Sequence, residues 1–286
     1  MSRRLLAALL SGAVLLTTAF LVRRPGTPSF FFIQMSDPQF GMYAADSNFA
    51  QETTNFEMAI ATANRLHPTF VVVTGDLINR PGDSAQAAEY WRIAKKLDTS
   101  IPLYNVAGNH DVGNTPTSAS VAAYAKLFGP DHYVFRHGKF TAIVLNSTII
   151  DSSEQVPTEF AAQESWLEAE LARARRNGAS QIVVFQHHPY FLKNAAEPDQ
   201  YFNIPLAHRA RYLGLFHKYG VTAVFAGHYH QNAEAGDGAM EMITTGPVGK
   251  PFGGAQSGFR IVTVTDSGIS HRYYGLGDLP NRVVVR

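Results

Sequence analysis

Unbroken apolar runs of strand length, such as Val71-Val72-Val73 and Ile182-Val183-Val184-Phe185, constrain the fold of this chain more than any other feature. A strand with one wet face alternates apolar and polar side chains, so a continuous run is covered on both faces. Strand-length apolar segments at 30–35, 69–74, 102–107, 141–146, 181–186, 221–226, 239–245 and 259–265 alternate with helical patterns at 48–66, 84–97, 118–128, 159–177 and 208–219. In the fourth helical segment Phe160, Leu167, Leu171 and Ala174 share one stripe, and Gly178 supplies a stop. The pattern predicts an α/β domain whose helices cover the sheets. No long helix follows residue 239, so an antiparallel meander beside a parallel centre, and two sheets in place of one, are expected. There is no internal repeat, and one domain over 25–286 fits best.

The N-terminal segment stands outside this pattern. Residues 5–22 are an uncharged run flanked by Arg3-Arg4 and Arg23-Arg24. As a helix, at about 1.5 Å per residue, the run nearly spans a bilayer. Residues 1–24 are therefore expected to be a membrane anchor or a signal peptide, the latter with small residues Thr17 and Ala19 before a cleavage site. Either reading predicts an exported or membrane-anchored chain, periplasmic or extracellular if bacterial, and the opening Ser2-Arg3-Arg4-Leu5-Leu6 resembles a twin-arginine export signal.

The chemistry-bearing residues sit at strand ends. Asp37, Asp76, Asn109, His187 and His228 each follow a predicted buried strand, and in open α/β sheets the loops beyond the strand carboxyl ends converge on one crevice. Taken singly, each is an ordinary turn or loop residue. Together they repeat one placement five times, and carboxylates and imidazoles buried in one site require compensating cations. The 286 residues contain no Cys, which leaves His, Asp, Asn and Gln as the metal donors. A formal net charge of +1 gives no field suited to nucleic acid.

In order, these positions read DPQ, GD, GNHD, QHH and GHYH. The series resembles the signature of the calcineurin-like metallophosphoesterase superfamily, whose usual form is Asp-x-His, Gly-Asp, Gly-Asn-His-Asp/Glu, His and Gly-His-x-His. The longer strings DPQFG, GNHDVGNTPT, FQHHP, GHYHQN and HRYY are similar to a serine/threonine phosphatase branch of that superfamily. The resemblance implies a four-layer α/β/β/α sandwich of two mixed sheets, with a dinuclear metal site at the strand carboxyl ends. It implies that Asp37, Gln39, Asp76 and His230 surround one metal, that Asp76, Asn109, His187 and His228 surround the other, and that Asp76 bridges them. A metal-bridging hydroxide would attack phosphorus. His110 would then protonate the leaving oxygen, with Asp111 holding its ring.

Gln39 departs from the wider pattern, where histidine is usual. An amide oxygen in place of imidazole makes the first site harder and weaker, which favours Mn²⁺, Mg²⁺ or Fe²⁺, with Zn²⁺ also accommodated. Asn109 and His110 are expected to face substrate, with Arg80 and Tyr190 as further candidates. Residues 112–117 and 189–202, carrying Asn114, Tyr190, Phe191, Tyr201 and Phe202, are candidates for a substrate-facing rim, and His188 is expected to be a wall residue. The expected substrate is a phosphorylated small molecule or a phosphoprotein, hydrolysed as a monoester. Two alternatives stay open: phosphodiester or nucleotide pyrophosphate hydrolysis, and a metal-poor scaffold without turnover.

Overall fold

The structure, a computed structural model, describes residues 29–265 and 267–285. Among the described residues, eleven strands are divided between two mixed sheets. The first contains β1 (Phe30–Met35), β2 (Val71–Val73), β3 (Leu103–Asn105), β10 (Gly258–Thr265) and β11 (Gly268–Gly275), in the order β11-β10-β1-β2-β3. The second contains β4 (Tyr133–His137), β5 (Phe140–Val144), β6 (Gln181–Phe185), β7 (Ala223–Ala226), β8 (Ala233–Asp237) and β9 (Met240–Thr244), in the order β4-β5-β6-β7-β9-β8. β1-β2-β3 and β5-β6-β7-β9 are parallel, and the flanking strands pair antiparallel.

The period of two along β1 shows how four layers arise. Phe30 and Phe32 face the second sheet, while Ile33 and Met35 face helices. Between the sheets Phe32 stacks on Phe70, with centroids 4.6 Å apart, and meets Phe185 and Phe225 edge-on at 5.6 Å. Each such aromatic pair adds about 0.5–1.5 kcal/mol beyond the area it buries. On the outer face of the first sheet lie α1 (Ala50–Leu66), α2 (Ser84–Ala94) and α4 (Ser118–Phe128); α6 (Pro157–Arg176) and α7 (Leu206–Tyr219) cover the second. The boundaries have local causes. Asp83 accepts hydrogen bonds from the N–H groups of Ala85 and Gln86 to start α2, Thr117 and Ser120 cap α4 reciprocally, and Pro157 opens α6.

The eight expected strands and five expected helices all form, with ends that differ by a few residues. The meander expected after residue 239 is instead shared between the sheets. β9 lies parallel to β7, and β10-β11 return as a hairpin antiparallel to β1. Edge strands β4, β8 and β11 and the one-turn helices α3 (Asn109–Val112) and α5 (Thr148–Asp151) carry no long apolar run, so periodicity did not mark them.

The expectation of an exported or membrane-anchored chain is corrected: no helix among the described residues is long and apolar enough to cross a membrane. The segment 5–22, on which that expectation rested, lies outside the described residues.

Candidate metal centre

The carboxyl ends of β1, β2, β3, β6 and β7 deliver the expected residues to one crevice. Asp37, Gln39, Asp76, Asn109, His187, His228 and His230 are all buried there. Ligand atoms of Asp76, His187 and His228 lie within 4.8 Å of one another, as do those of Asp37, Asp76 and His230. Asp76 is common to both groups.

Bringing five strand ends together requires close backbone approach and unusual dihedrals. A Cβ on Gly75 would overlap the His187 ring, and one on Gly108 would overlap the Asp76 backbone nitrogen and carboxylate. The glycines of the GD and GNHD motifs are thus the space into which ligand side chains pack. Asp37, Gln39, Asp76, His228 and His230 hold φ between 42° and 67°, in the left-handed region. Such backbone costs about 1–3 kcal/mol at each non-glycine position and persists where the surroundings over-determine it, which is characteristic of functional sites.

The hydrogen bonds assign the histidine tautomers. His187 Nδ1 lies 2.8 Å from Thr74 O, His228 Nε2 3.0 Å from Tyr201 O, and His230 Nδ1 2.6 Å from Lys250 O. A carbonyl oxygen only accepts, so each of these nitrogens carries a proton. The opposite nitrogen is left to the crevice: His187 Nε2 sits 3.2 Å from Asp76 Oδ2, and His230 Nε2 sits 3.4 Å from Asp37 Oδ1. The two amides are oriented likewise. Gln39 Nε2 donates to Asn79 Oδ1 at 3.1 Å, leaving its buried Oε1 without a partner. Asn109 Nδ2 donates to Asn114 Oδ1 at 2.8 Å and to Tyr201 Oη at 3.4 Å, turning Asn109 Oδ1 toward His187 Nε2 at 3.0 Å.

Electrostatically the crevice favours positive charge. Burial alone would lower the His187 pKa, yet Asp76 and Asp37 raise it to about 9. Burial would raise the Asp76 pKa, but His187 and its hydrogen bond hold it below the usual carboxylate range. His228, with burial and then His187 against its charged form, is lowered to about 4. Imidazoles with one nitrogen fixed on a carbonyl, an orphaned amide oxygen and a shared carboxylate form the donor set that divalent cations require, so the residues present fit a two-metal site.

His110 stands beside this cluster, half-buried, with its N–H donating to Asp76 Oδ1 at 2.8 Å. Its ring is held differently from expectation. His110 Nδ1 donates to Asn79 O at 2.7 Å, which leaves Nε2 as the free nitrogen. Asp111 does not orient it: one carboxylate oxygen accepts from the N–H groups of Leu77 at 2.9 Å and Ile78 at 3.2 Å, and the other from Gly108 at 2.8 Å. Asp111 thereby ties the loop after β2 to the loop after β3. Sequence reasoning overlooked Asn79, which holds both Gln39 and His110; its place three residues after Asp76 in GDLIN is the signal that marks it.

Two further candidates are corrected. Tyr190 is fully buried in the core beneath α7, packed on Tyr212 and Phe216, so it cannot face substrate; Phe191 is buried in the same cluster. Arg80 is exposed and pairs with Asp83 at 2.7 Å, beside the start of α2. Of the expected rim, Asn114, Tyr201 and Phe202 do reach the site: the Tyr201 and Phe202 rings lie 4.9 and 5.6 Å from that of His228. His188 is a wall residue, its ring 4.3 Å from His228 and its Nδ1 3.0 Å from Ser147 Oγ.

The family model for calcineurin-like phosphoesterases matches residues 32–232, which contain all of these positions. The chain belongs to the calcineurin-like phosphoesterase family. It is 36% identical over 274 residues to the rat serine/threonine-protein phosphatase CPPED1, covering 91% of this chain and 88% of the rat protein. It is 36% identical to human CPPED1 over 269 residues, covering 88% and 86% of the two chains. Among solved structures it is similar to purple acid phosphatase PPD1 from yellow lupin (TM-score 0.66, 15% identity, 88% of this chain and 52% of that one). A dimetal phosphatase from Danio rerio is also similar (TM-score 0.60, 15% identity, 86% and 99%). This calcineurin-like phosphoesterase is a hydrolase of phosphate esters that depends on divalent metal ions.

Proposed function

We propose that the enzyme hydrolyses phosphomonoesters, and that its substrates are phosphorylated serine or threonine side chains of proteins. The observation that carries the catalytic part is the tautomer pattern: three buried histidines each donate one ring N–H to a backbone carbonyl and direct the other nitrogen at a cluster built on Asp76. The substrate class rests on identity to the CPPED1 phosphatases over nearly the whole chain.

In this reading Asp37, Gln39, Asp76 and His230 hold one cation, and Asp76, Asn109, His187 and His228 hold the second. When bound, the cations would supply charge for the phosphate oxygens and lower the pKa of water. The remaining work falls to side chains of this protein. His110, with Nδ1–H committed to Asn79 O, presents Nε2 to the leaving oxygen and, in its imidazolium form, transfers the Nε2 proton there. Asn109, held through Nδ2 by Asn114, keeps its oxygen fixed on the cluster. Tyr201 closes one side of the crevice, its carbonyl on His228 and its hydroxyl against Asn109. The oxygen donors Asp37, Gln39, Asp76 and Asn109 favour Mn²⁺, Mg²⁺ or Fe²⁺ over Zn²⁺.

The test is metal content of the purified protein, followed by turnover of p-nitrophenyl phosphate, its bis ester, and phosphoserine and phosphothreonine peptides with each metal supplied. Monoester and phosphopeptide hydrolysis that disappears with chelator is expected. Preference for the diester, or turnover untouched by removal of metal, overturns the proposal.

A further inference from the structure

Beside the metal centre lies a second concavity, a cavity of about 440 Å³ between the loop 189–205 and the start of β8. Its wall is shared with the catalytic crevice. Tyr229, which lines the cavity, stands between the candidate ligands His228 and His230. Gln200, on the other wall, directly precedes Tyr201, whose carbonyl holds His228 Nε2 at 3.0 Å. Phe202 packs its ring 5.1 Å from that of Tyr229 and 5.6 Å from that of His228, fastening the loop across both spaces. The cavity thus adjoins the metal centre, with single residues of the chain separating its lining from the candidate ligands.

The lining selects among possible attachments. Leu192, Pro198 and Tyr229 offer apolar surface, and Gln231 offers an amide, so the cavity suits the mixed chemistry of a polypeptide. Its charges are unequal in availability. Both oxygens of Glu197 are engaged in folding the loop: Oε1 accepts from Leu192 N at 2.8 Å and Asn203 Nδ2 at 2.7 Å, and Oε2 from Lys193 N at 2.8 Å. The Lys193 side chain is exposed and, among the described residues, enters no ion pair. Of the two charged residues described in the lining, the one free to meet a ligand is thus positive.

We propose that this cavity binds the polypeptide flanking the phosphorylated residue and favours an acidic side chain there, through Lys193. The proposal rests on the phosphoprotein reading above and adds to it a flanking-sequence preference and a place where that preference is read.

The experiment compares kcat/KM of the full-length protein, Lys193→Glu and Gln231→Trp on three substrates: p-nitrophenyl phosphate, a phosphoserine peptide with glutamates beside the phosphoresidue, and its lysine counterpart. The wild type is expected to prefer the glutamate peptide about two- to fivefold, the range of one partly exposed charge pair, and Lys193→Glu to reverse that preference. Gln231→Trp, which fills the cavity, is expected to lower both peptides about tenfold, comparable to losing a modest subsite. Turnover of p-nitrophenyl phosphate should stay unchanged in both variants, which also shows that they are folded. Peptide hydrolysis by the wild type with no flank preference, or with all three substrates equally affected in the variants, overturns the cavity's role. Failure of the wild type on every phosphopeptide while p-nitrophenyl phosphate is turned over overturns the phosphoprotein reading itself.

Discussion

At the strand carboxyl ends, Asp37, Asp76, His187, His228 and His230 converge; between β8-β9 and β11, Glu234, Glu241 and His271 bring their ligand atoms within the same 4.8 Å. The second cluster differs in having its own cation. Arg260, fully buried on β10, donates to Glu234 Oε1 at 2.5 Å, to His271 Nδ1 at 2.7 Å and to Asn232 Oδ1 at 2.9 Å, while His271 Nε2 donates to Glu241 Oε1 at 3.0 Å. Both nitrogens of His271 are spent within the protein. In the first cluster each histidine spends one nitrogen on a carbonyl and keeps the other for the centre, and among the described residues no lysine or arginine pairs with Asp37 or Asp76. Proximity of acids and imidazoles is common to both. What separates a metal site from an internal salt-bridge network here is whether a guanidinium already meets the acids.

The largest effect is expected where both halves of the first cluster meet. Asp76→Asn removes the one carboxylate charge common to the two groups, so turnover should fall at least about a thousandfold, or about 4 kcal/mol of transition-state stabilisation. Metal content measured by mass spectrometry should fall with it. Retention of both metals would remove Asp76 from its bridging place. His110→Ala should lower kcat about a hundred- to a thousandfold, because proton transfer is lost, while metal content stays near that of the wild type. Equal metal loss in the two variants would make His110 part of the cluster, against the geometry in which only its backbone N–H touches Asp76.

Which of these roles the sequence revealed follows from what each depends on. Unbroken apolar runs mark buried strands wherever they occur, so β1, β2, β5, β6 and β7, and the residues at their ends, were legible. The convergence of the candidate ligands was legible for the same reason, since a strand end is a place in the fold as well as in the chain. Contacts made through backbone oxygens were not. Asn79 O on His110 and Lys250 O on His230 use an atom that every residue possesses, and residue type carries no trace of it. Asp111 illustrates the converse: its neighbour in sequence suggested a partner, yet the one-turn helix α3 directs its carboxylate to three backbone N–H groups instead. Tyr190 misled because aromatic residues after a motif lie on a rim or in the core with equal ease, and only the packing of α7 decides between them.

The second cluster gives the next test. Arg260→Met leaves Glu234 and His271 without their donor, and because Glu234 is half exposed the cost should be about 2–3 kcal/mol, below the full penalty of a stranded buried charge. Denaturant unfolding measures it, and turnover and metal content should not change. A third equivalent of metal in Arg260→Met would instead show that the guanidinium occupies a latent cation site, and the contrast between the clusters would reduce to which cation each one holds.

The smallest effect is expected at Gln39, where the first cluster departs from imidazole. Its buried Oε1 has no partner in the protein, and its Nε2 is fixed by Asn79, so the amide is oriented as an oxygen donor. Gln39→His replaces a hard oxygen by a borderline nitrogen at the same buried position, which should move the metal preference toward Zn²⁺ by about tenfold in relative affinity, or about 1.4 kcal/mol. Competition between Mn²⁺ and Zn²⁺, read as metal content at equilibrium, measures the shift. An unchanged ratio would mean that Gln39 faces the crevice without holding metal, and that Asp37 and His230 alone, with the shared Asp76, set the character of that half of the centre.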